Sequence, residues 1–139
     1  MLMGVYEREN CGLYLDEGYM FDPDGPGLLA CITQGRSKRI PVITLSQRPV
    51  GISRFCFTEA QFIQAYALFD KRERQTARNF VPIPEYHKGE PLPEFWSYYF
   101  DVKKRQLNAL RPVPKASISL GVIERRLQAL DRMPRRRYI

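Results

Sequence analysis

Two short apolar runs separated by one helix-sized segment restrict the fold more than anything else in this chain. The first, Leu13-Tyr14-Leu15, closes on Asp16-Glu17. The second, Ile40-Pro41-Val42-Ile43-Thr44-Leu45, closes on Ser46-Gln47-Arg48-Pro49. Between them lies a loop rich in glycine and proline, from Gly18 to Gly27. Leu28, Leu29 and Ile32 then recur at helical spacing. Parallel strands are buried on both faces and need a long crossover, so this pattern is the sequence form of a β-α-β unit. The expected class is α/β. Ligands in such sheets sit beyond the carboxyl ends of the strands. The expected crevice therefore has Asp16 and Glu17 on one wall and Ser46, Gln47 and Arg48 on the other.

At 139 residues the chain is one domain or a large part of one. No apolar run approaches the roughly 20 residues of a membrane span, and no signal pattern opens the chain, so no membrane partner is expected. Cys11, Cys31 and Cys56 have no metal-ligand spacing, and His87 is the one histidine, which argues against zinc. Free thiols fit a reducing, cytoplasmic setting. A formal charge of +7 points to an acidic partner, nucleic acid first, although basic surface charge can also serve solubility alone.

An apolar strand running into Asp16-Glu17 resembles the Walker B motif of P-loop nucleotide hydrolases, although many buried strands also end in acids. With Gln34-Gly35-Arg36 and the run from Ile40 to Pro49, the chain resembles the FtsK/HerA group of DNA-pumping ATPases. It is most similar to phage-type DNA-packaging members, over roughly residues 11–80. The resemblance implies a parallel-sheet P-loop NTPase (RecA/ASCE-like) fold. It makes Asp16 the Mg²⁺ ligand, Glu17 the catalytic base and Gln47 the sensor of the γ-phosphate or attacking water. Arg36 and Arg48 become charge-stabilising candidates that can act on a neighbouring subunit's nucleotide. Arg36 also fits a plain surface charge matched to a helix C-terminus. The implied cofactors are ATP and Mg²⁺ in the complete ATPase. The implied partners are DNA and further copies in a homo-oligomeric ring, in the host cytoplasm if the chain is phage-encoded.

The chain departs from that family in one large respect. No Gly-x-x-x-x-Gly-Lys followed by Ser or Thr occurs anywhere, and the nine glycines never make a phosphate-cradling arrangement. The chain thus looks like a partial domain, from Walker B onward, and is expected to be inactive alone. In the family a phosphate-loop strand lies between the strand ending in Gln47 and the one at about residues 63–69. Without it, those two strands pair directly, another chain supplies the strand, or the chain folds poorly.

Residues 1–80 accordingly read as the ATPase part and 81–139 as an appendage. Met1 to Asn10 reads as the tail of a helix, and Asp22 and Asp24 as turn acids. Thr58-Glu59-Ala60-Gln61 has the form of a capping box. Phe62, Ile63, Tyr66 and Phe69 are spaced for a helix, but the resemblance puts a strand there, and the strand is preferred. Asp70-Lys71-Arg72-Glu73 starts a helix reaching Phe80. Prolines 82, 84, 91 and 93 exclude regular structure, with His87 in the loop. Residues 95–102 and 106–111 form an aromatic hairpin, expected to pack its rings on the main sheet. Leu120, Ile123, Leu127 and Leu130 mark one stripe of a C-terminal helix. Arg125, Arg126, Arg132, Arg135, Arg136 and Arg137 are the candidates for phosphate contact. Set against the motor is a non-enzymatic basic module that binds nucleic acid or a partner protein.

Overall fold

The structure, a computed structural model, describes residues 2–84, 92–114 and 116–131. His87, Arg132, Arg135, Arg136 and Arg137 lie outside the described residues. Helix α1 (Leu2–Arg8) precedes strand β1 (Leu13–Leu15), helix α2 (Pro26–Gln34) and strand β2 (Val42–Thr44). Strands β1 and β2 are parallel, with Leu13 opposite Val42 and Leu15 opposite Thr44. The β-α-β crossover read from the sequence is present.

Local chemistry accounts for its limits. Glu9 and Asn10 take left-handed backbone angles that stop α1. Asp22 accepts the Asp24 N–H at 3.1 Å in a side-chain turn, which occupies the acid that could otherwise be read as a ligand. Pro26 stands at the start of α2, where its missing N–H costs nothing. The inner side of α2 carries Leu28 and Cys31, both nearly inaccessible, as are Leu15 of β1 and Ile40 ahead of β2. Helix α1 crosses α2 so closely that a Cβ on Gly27 would lie 2.8 Å from the Met3 backbone nitrogen. All three cysteines are free thiols.

After β2 the chain makes a 3-10 turn at Pro49–Gly51 and the one-turn helix α3 (Phe55–Thr58). The Thr58 capping box is therefore corrected. Thr58 ends a helix instead of starting one, because its N–H and that of Glu59 are already donated to Arg54 and Phe55 carbonyls. The strand preferred at 63–69 exists as β3 (Phe62–Tyr66), but it does not join β1 and β2. It pairs antiparallel with β4 (Ser97–Asp101), which pairs with β5 (Gln106–Leu110). The hairpin thus takes β3 as a third strand instead of laying its rings on the parallel pair. Phe62 stacks on Tyr99 across this sheet, with ring centroids 5.6 Å apart. Strands β2 and β3 do not pair directly, and among the described residues no strand covers the outer edge of β2.

Helix α4 (Lys71–Arg78) follows β3 and ends two residues short of Phe80. Asp70 caps it by accepting the N–H groups of Arg72 and Glu73 at 2.8 and 3.1 Å. Those bonds to Glu73 and Arg72 hold the Asp70 carboxyl below the usual carboxylate range. A depressed folded-state pKa means stabilisation that is present above the unfolded value and lost as pH falls through the folded one. The Asp70→Ala variant should melt below the parent chain at neutral pH. Melting curves taken at successively lower pH should show the difference closing in acid. A constant difference would contradict the capping role.

Helix α5 (Ala116–Asp131) is the last element. Leu120, Ile123 and Leu127 form the expected stripe, yet each is more than half exposed, so the stripe is not buried within the described fold. The Leu130 side chain lies outside the described ones.

Candidate active site

The parallel pair ends where its polar residues begin. Leu45 N–H donates to the Leu15 carbonyl at 2.8 Å, and Gly18 N–H returns to the Leu45 carbonyl at 2.7 Å. These two bonds fasten the acidic turn after β1 to the end of β2. A side chain at position 18 would collide with Thr44, whose Cγ2 would be 2.4 Å from the new Cβ. Glycine is required there for the two tips to approach.

Within this frame Glu17 adopts φ 51° and ψ 57°, the left-handed region that a glutamate seldom enters. Such a conformation costs on the order of 1–3 kcal/mol and persists only where surrounding bonds over-determine it. Here it swings the carboxylate toward β2, where Oε1 accepts a hydrogen bond from Gln47 Nε2 at 3.2 Å. The second oxygen, Oε2, is buried and has no hydrogen-bond partner among the described residues. Desolvated acceptors are nearly always satisfied in folded proteins, so this oxygen is open to a donor, a water or a cation. Asp16 lies beside it, exposed, with Oδ1 accepting the Glu17 N–H at 3.1 Å.

The structure thus brings Glu17 and Gln47 into contact and puts Asp16 at the same tip. Arg48 follows directly. Its N–H donates to Ser46 Oγ at 3.0 Å, and its guanidinium lies 5.7 Å from the centre of the Tyr19 ring. Arg36 is elsewhere. It sits in the turn after α2, and the adjoining Lys38 and Arg39 bond to Glu9 and Asn10, ahead of β1. This is the end of the sheet opposite Asp16 and Glu17. Arg125 and Arg126 are exposed on α5, where Arg125 Nε donates to the Gly121 carbonyl at 2.9 Å.

Two residues of this neighbourhood escaped the sequence reading. Tyr19 and Glu73 join Arg48 around one cleft, and Glu73 Oε2 accepts the Val50 N–H at 2.8 Å. Tyr19 stands two residues past the acidic pair, a spacing that would have flagged it. Glu73 reaches the cleft only through tertiary folding.

The fold has counterparts among solved structures. The fold is shared with a genome-packaging NTPase, B204 of Sulfolobus turreted icosahedral virus 2. Against its complex with ATP-gammaS the TM-score is 0.63 at 16% identity, covering 73% of this chain and 52% of that one. Against its complex with AMP the TM-score is 0.64 at 15% identity, covering 81% and 57%.

The sequence relationship is more particular. This chain is 39% identical over 128 residues to the DNA packaging ATPase P9 of Enterobacteria phage PRD1. No family model matches the chain. The chain is thus similar in sequence to a phage DNA packaging ATPase. The match takes in 87% of this chain and 56% of P9, so it spans about half the length of that relative.

Proposed function

We propose that this chain is the acid- and glutamine-bearing part of a P-loop, RecA/ASCE-like ATPase that packages DNA. One observation carries the proposal: Glu17 and Gln47 meet at the tips of adjacent parallel strands, with an orphaned Glu17 oxygen beside Asp16. In this reading Glu17 takes a proton from the attacking water and Gln47 orients that water or reads the terminal phosphate. Mg²⁺ suits the pair Asp16 and Glu17, because that ion keeps several waters and needs only one or two carboxylates besides the substrate phosphates. When bound it neutralises charge on the phosphates. Asp16, with one oxygen engaged by the Glu17 N–H and the residue exposed, is the better placed ligand.

The phosphate-gripping loop must come from outside these 139 residues, since none of the nine glycines makes one. The unpaired outer edge of β2 is the place for the strand that delivers it. Arg48 then faces the same nucleotide. Arg36, at the far end of the sheet, acts on a nucleotide held by a neighbouring copy in a ring.

Two measurements test this. The chain alone should turn over no ATP, whereas a chimera joining it to the part of P9 it does not match should hydrolyse ATP. Turnover by the chain alone, or an inert but folded chimera, would refute the reading. DNA is the proposed cargo, held in part by the exposed Arg125 and Arg126. Changing both to Ala should flatten the salt dependence of DNA affinity by about 0.9 log units per decade for each phosphate these arginines neutralise. An unchanged slope in a binding titration would remove α5 from the DNA path.

A further inference from the structure

The sheet of β3, β4 and β5 turns one side to the core and the other outward. Ala65 and Phe100, nearly inaccessible, mark the inner side. Side chains alternate along a strand, so Phe62, Gln64 and Tyr66 share the outer side of β3. The register sets Gln64 opposite Tyr99 and Tyr99 opposite Asn108, so one row crosses all three strands on that side.

Two rings stand open there. Phe62 leans on Tyr99 yet remains 54% exposed, and Tyr66 is 57% exposed with no ring stacked on it among the described residues. They are four strand positions apart, about 13 Å, too far for one planar group to cover both. Between them Gln64 Nε2 donates to the Tyr66 hydroxyl at 3.1 Å and to Ser97 Oγ at 2.9 Å. Across the row Asn108 Oδ1 accepts from Gln106 Nε2 at 3.4 Å. The Gln64 carbonyl oxygen and the Asn108 amide nitrogen have no hydrogen-bond partner among the described residues.

Cations stand at both ends of this surface. Lys103, Lys104 and Arg105 make the exposed turn from β4 to β5. Asp101 holds that turn by accepting the Lys104 N–H at 3.0 Å, and its other oxygen lies 3.4 Å from Lys104 Nζ. Asp101 is the only acid in the three strands, and Lys104 pairs with it. The side chains of Lys103 and Arg105 make no ion pair among the described residues. At the other end Arg111 follows β5, with its guanidinium 5.7 Å from the centre of the Trp96 ring.

Spaced rings, unused amide ends and flanking cations answer the three parts of an unpaired nucleotide strand: base faces, base edges and phosphates. A duplex offers the phosphates but keeps its base faces stacked on one another. An apolar protein partner would leave the cations and amides unanswered. We propose that the outer side of this sheet binds single-stranded nucleic acid, with one base on Phe62, another on Tyr66 and phosphate at Lys103 and Arg105. The sheet contains no residue of the acid–glutamine pair, so this inference is independent of the ATPase reading. DNA and RNA strands share the chemistry, and the experiment separates them.

Fluorescence anisotropy of the full chain is measured with a short labelled DNA strand, the same strand annealed to its complement, and RNA of the same sequence. A single strand should bind tighter than the duplex, and the tighter of DNA and RNA identifies the source. Phe62→Ala and Tyr66→Ala should each weaken single-strand binding roughly 5- to 150-fold, the range for losing one base–aromatic stack. That loss should persist when Arg125 and Arg126 are also changed to Ala, which separates the sheet from α5. Lys103→Ala with Arg105→Ala should flatten the salt dependence by about 0.7 log units per decade for each phosphate released. Tyr14→Ala, which removes a ring of similar exposure on β1, should leave affinity unchanged. Circular dichroism establishes that each variant is folded. Tyr66 has no stacked ring to lose, so Tyr66→Ala remains informative if Phe62→Ala unfolds. The proposal is overturned if the duplex binds as tightly as the single strands, or if folded ring variants keep the parent affinity. It is also overturned if sedimentation shows copies associating through these rings while no strand binds.

Discussion

Leu28→Ala should lower the unfolding free energy by about 2–5 kcal/mol, the range for emptying a buried leucine site. Leu28 is 2% exposed and sits on the side of α2 that also carries Cys31, at 1%. Globular domains are stable by only about 5–15 kcal/mol. This one change can therefore remove much of what holds the crossover together. The parallel pair has just three residues per strand, so it depends on α2 for its position. Denaturant unfolding of the two proteins measures the loss. A change below about 1 kcal/mol, outside the range for emptied leucine sites, would mean that α2 is not the core of the unit.

Glu17→Gln in the P9 chimera should lower kcat by roughly 10²–10⁴-fold, the usual contribution of a general base. The amide is nearly the same size and can still meet Gln47, so the fold should be preserved. It cannot take a proton. Nucleotide affinity should change far less than kcat, because the proposed role lies in proton transfer and not in grip. Gln47→Ala should act differently, by freeing the Glu17 carboxylate from its 3.2 Å restraint. A Glu17→Gln chimera that keeps most of its turnover would reassign the base.

The crossover and its acidic tip were legible in the sequence because they follow from local rules. Apolar runs, a proline at the helix start and polar residues at strand ends each act within a few positions. Asp70 was legible for the same reason, since a cap needs only the next three residues. The hairpin was legible from its aromatic strand and its turn, in which Asp101 accepts the Lys104 N–H at 3.0 Å. The partner of β3 was not legible. Phe62 to Tyr66 can pair with any exposed edge, and the choice of β4, over thirty residues away, is made by tertiary packing. Thr58 misled for a related reason. A Thr-x-x-Gln pattern caps only if the following N–H groups are unclaimed, and α3 had claimed them. At the site, the spacing of Glu17 and Gln47 from their strands placed both at one tip. Their contact needed the left-handed turn at Glu17, which no residue preference would suggest.

The place of Arg36 bears on the proposed ring. Helix α2 has nine residues, about 13 Å at the usual rise, and it runs from the acidic tip to the turn that holds Arg36. In the proposed arrangement an arginine there would be too far from the acidic tip to reach a nucleotide held at it by the same chain. If it serves one at all, each copy has a giving face and a receiving face at opposite poles. Under the ring proposal such contacts would be head-to-tail and not two-fold, so the polarity of a single crossover would give the assembly its direction.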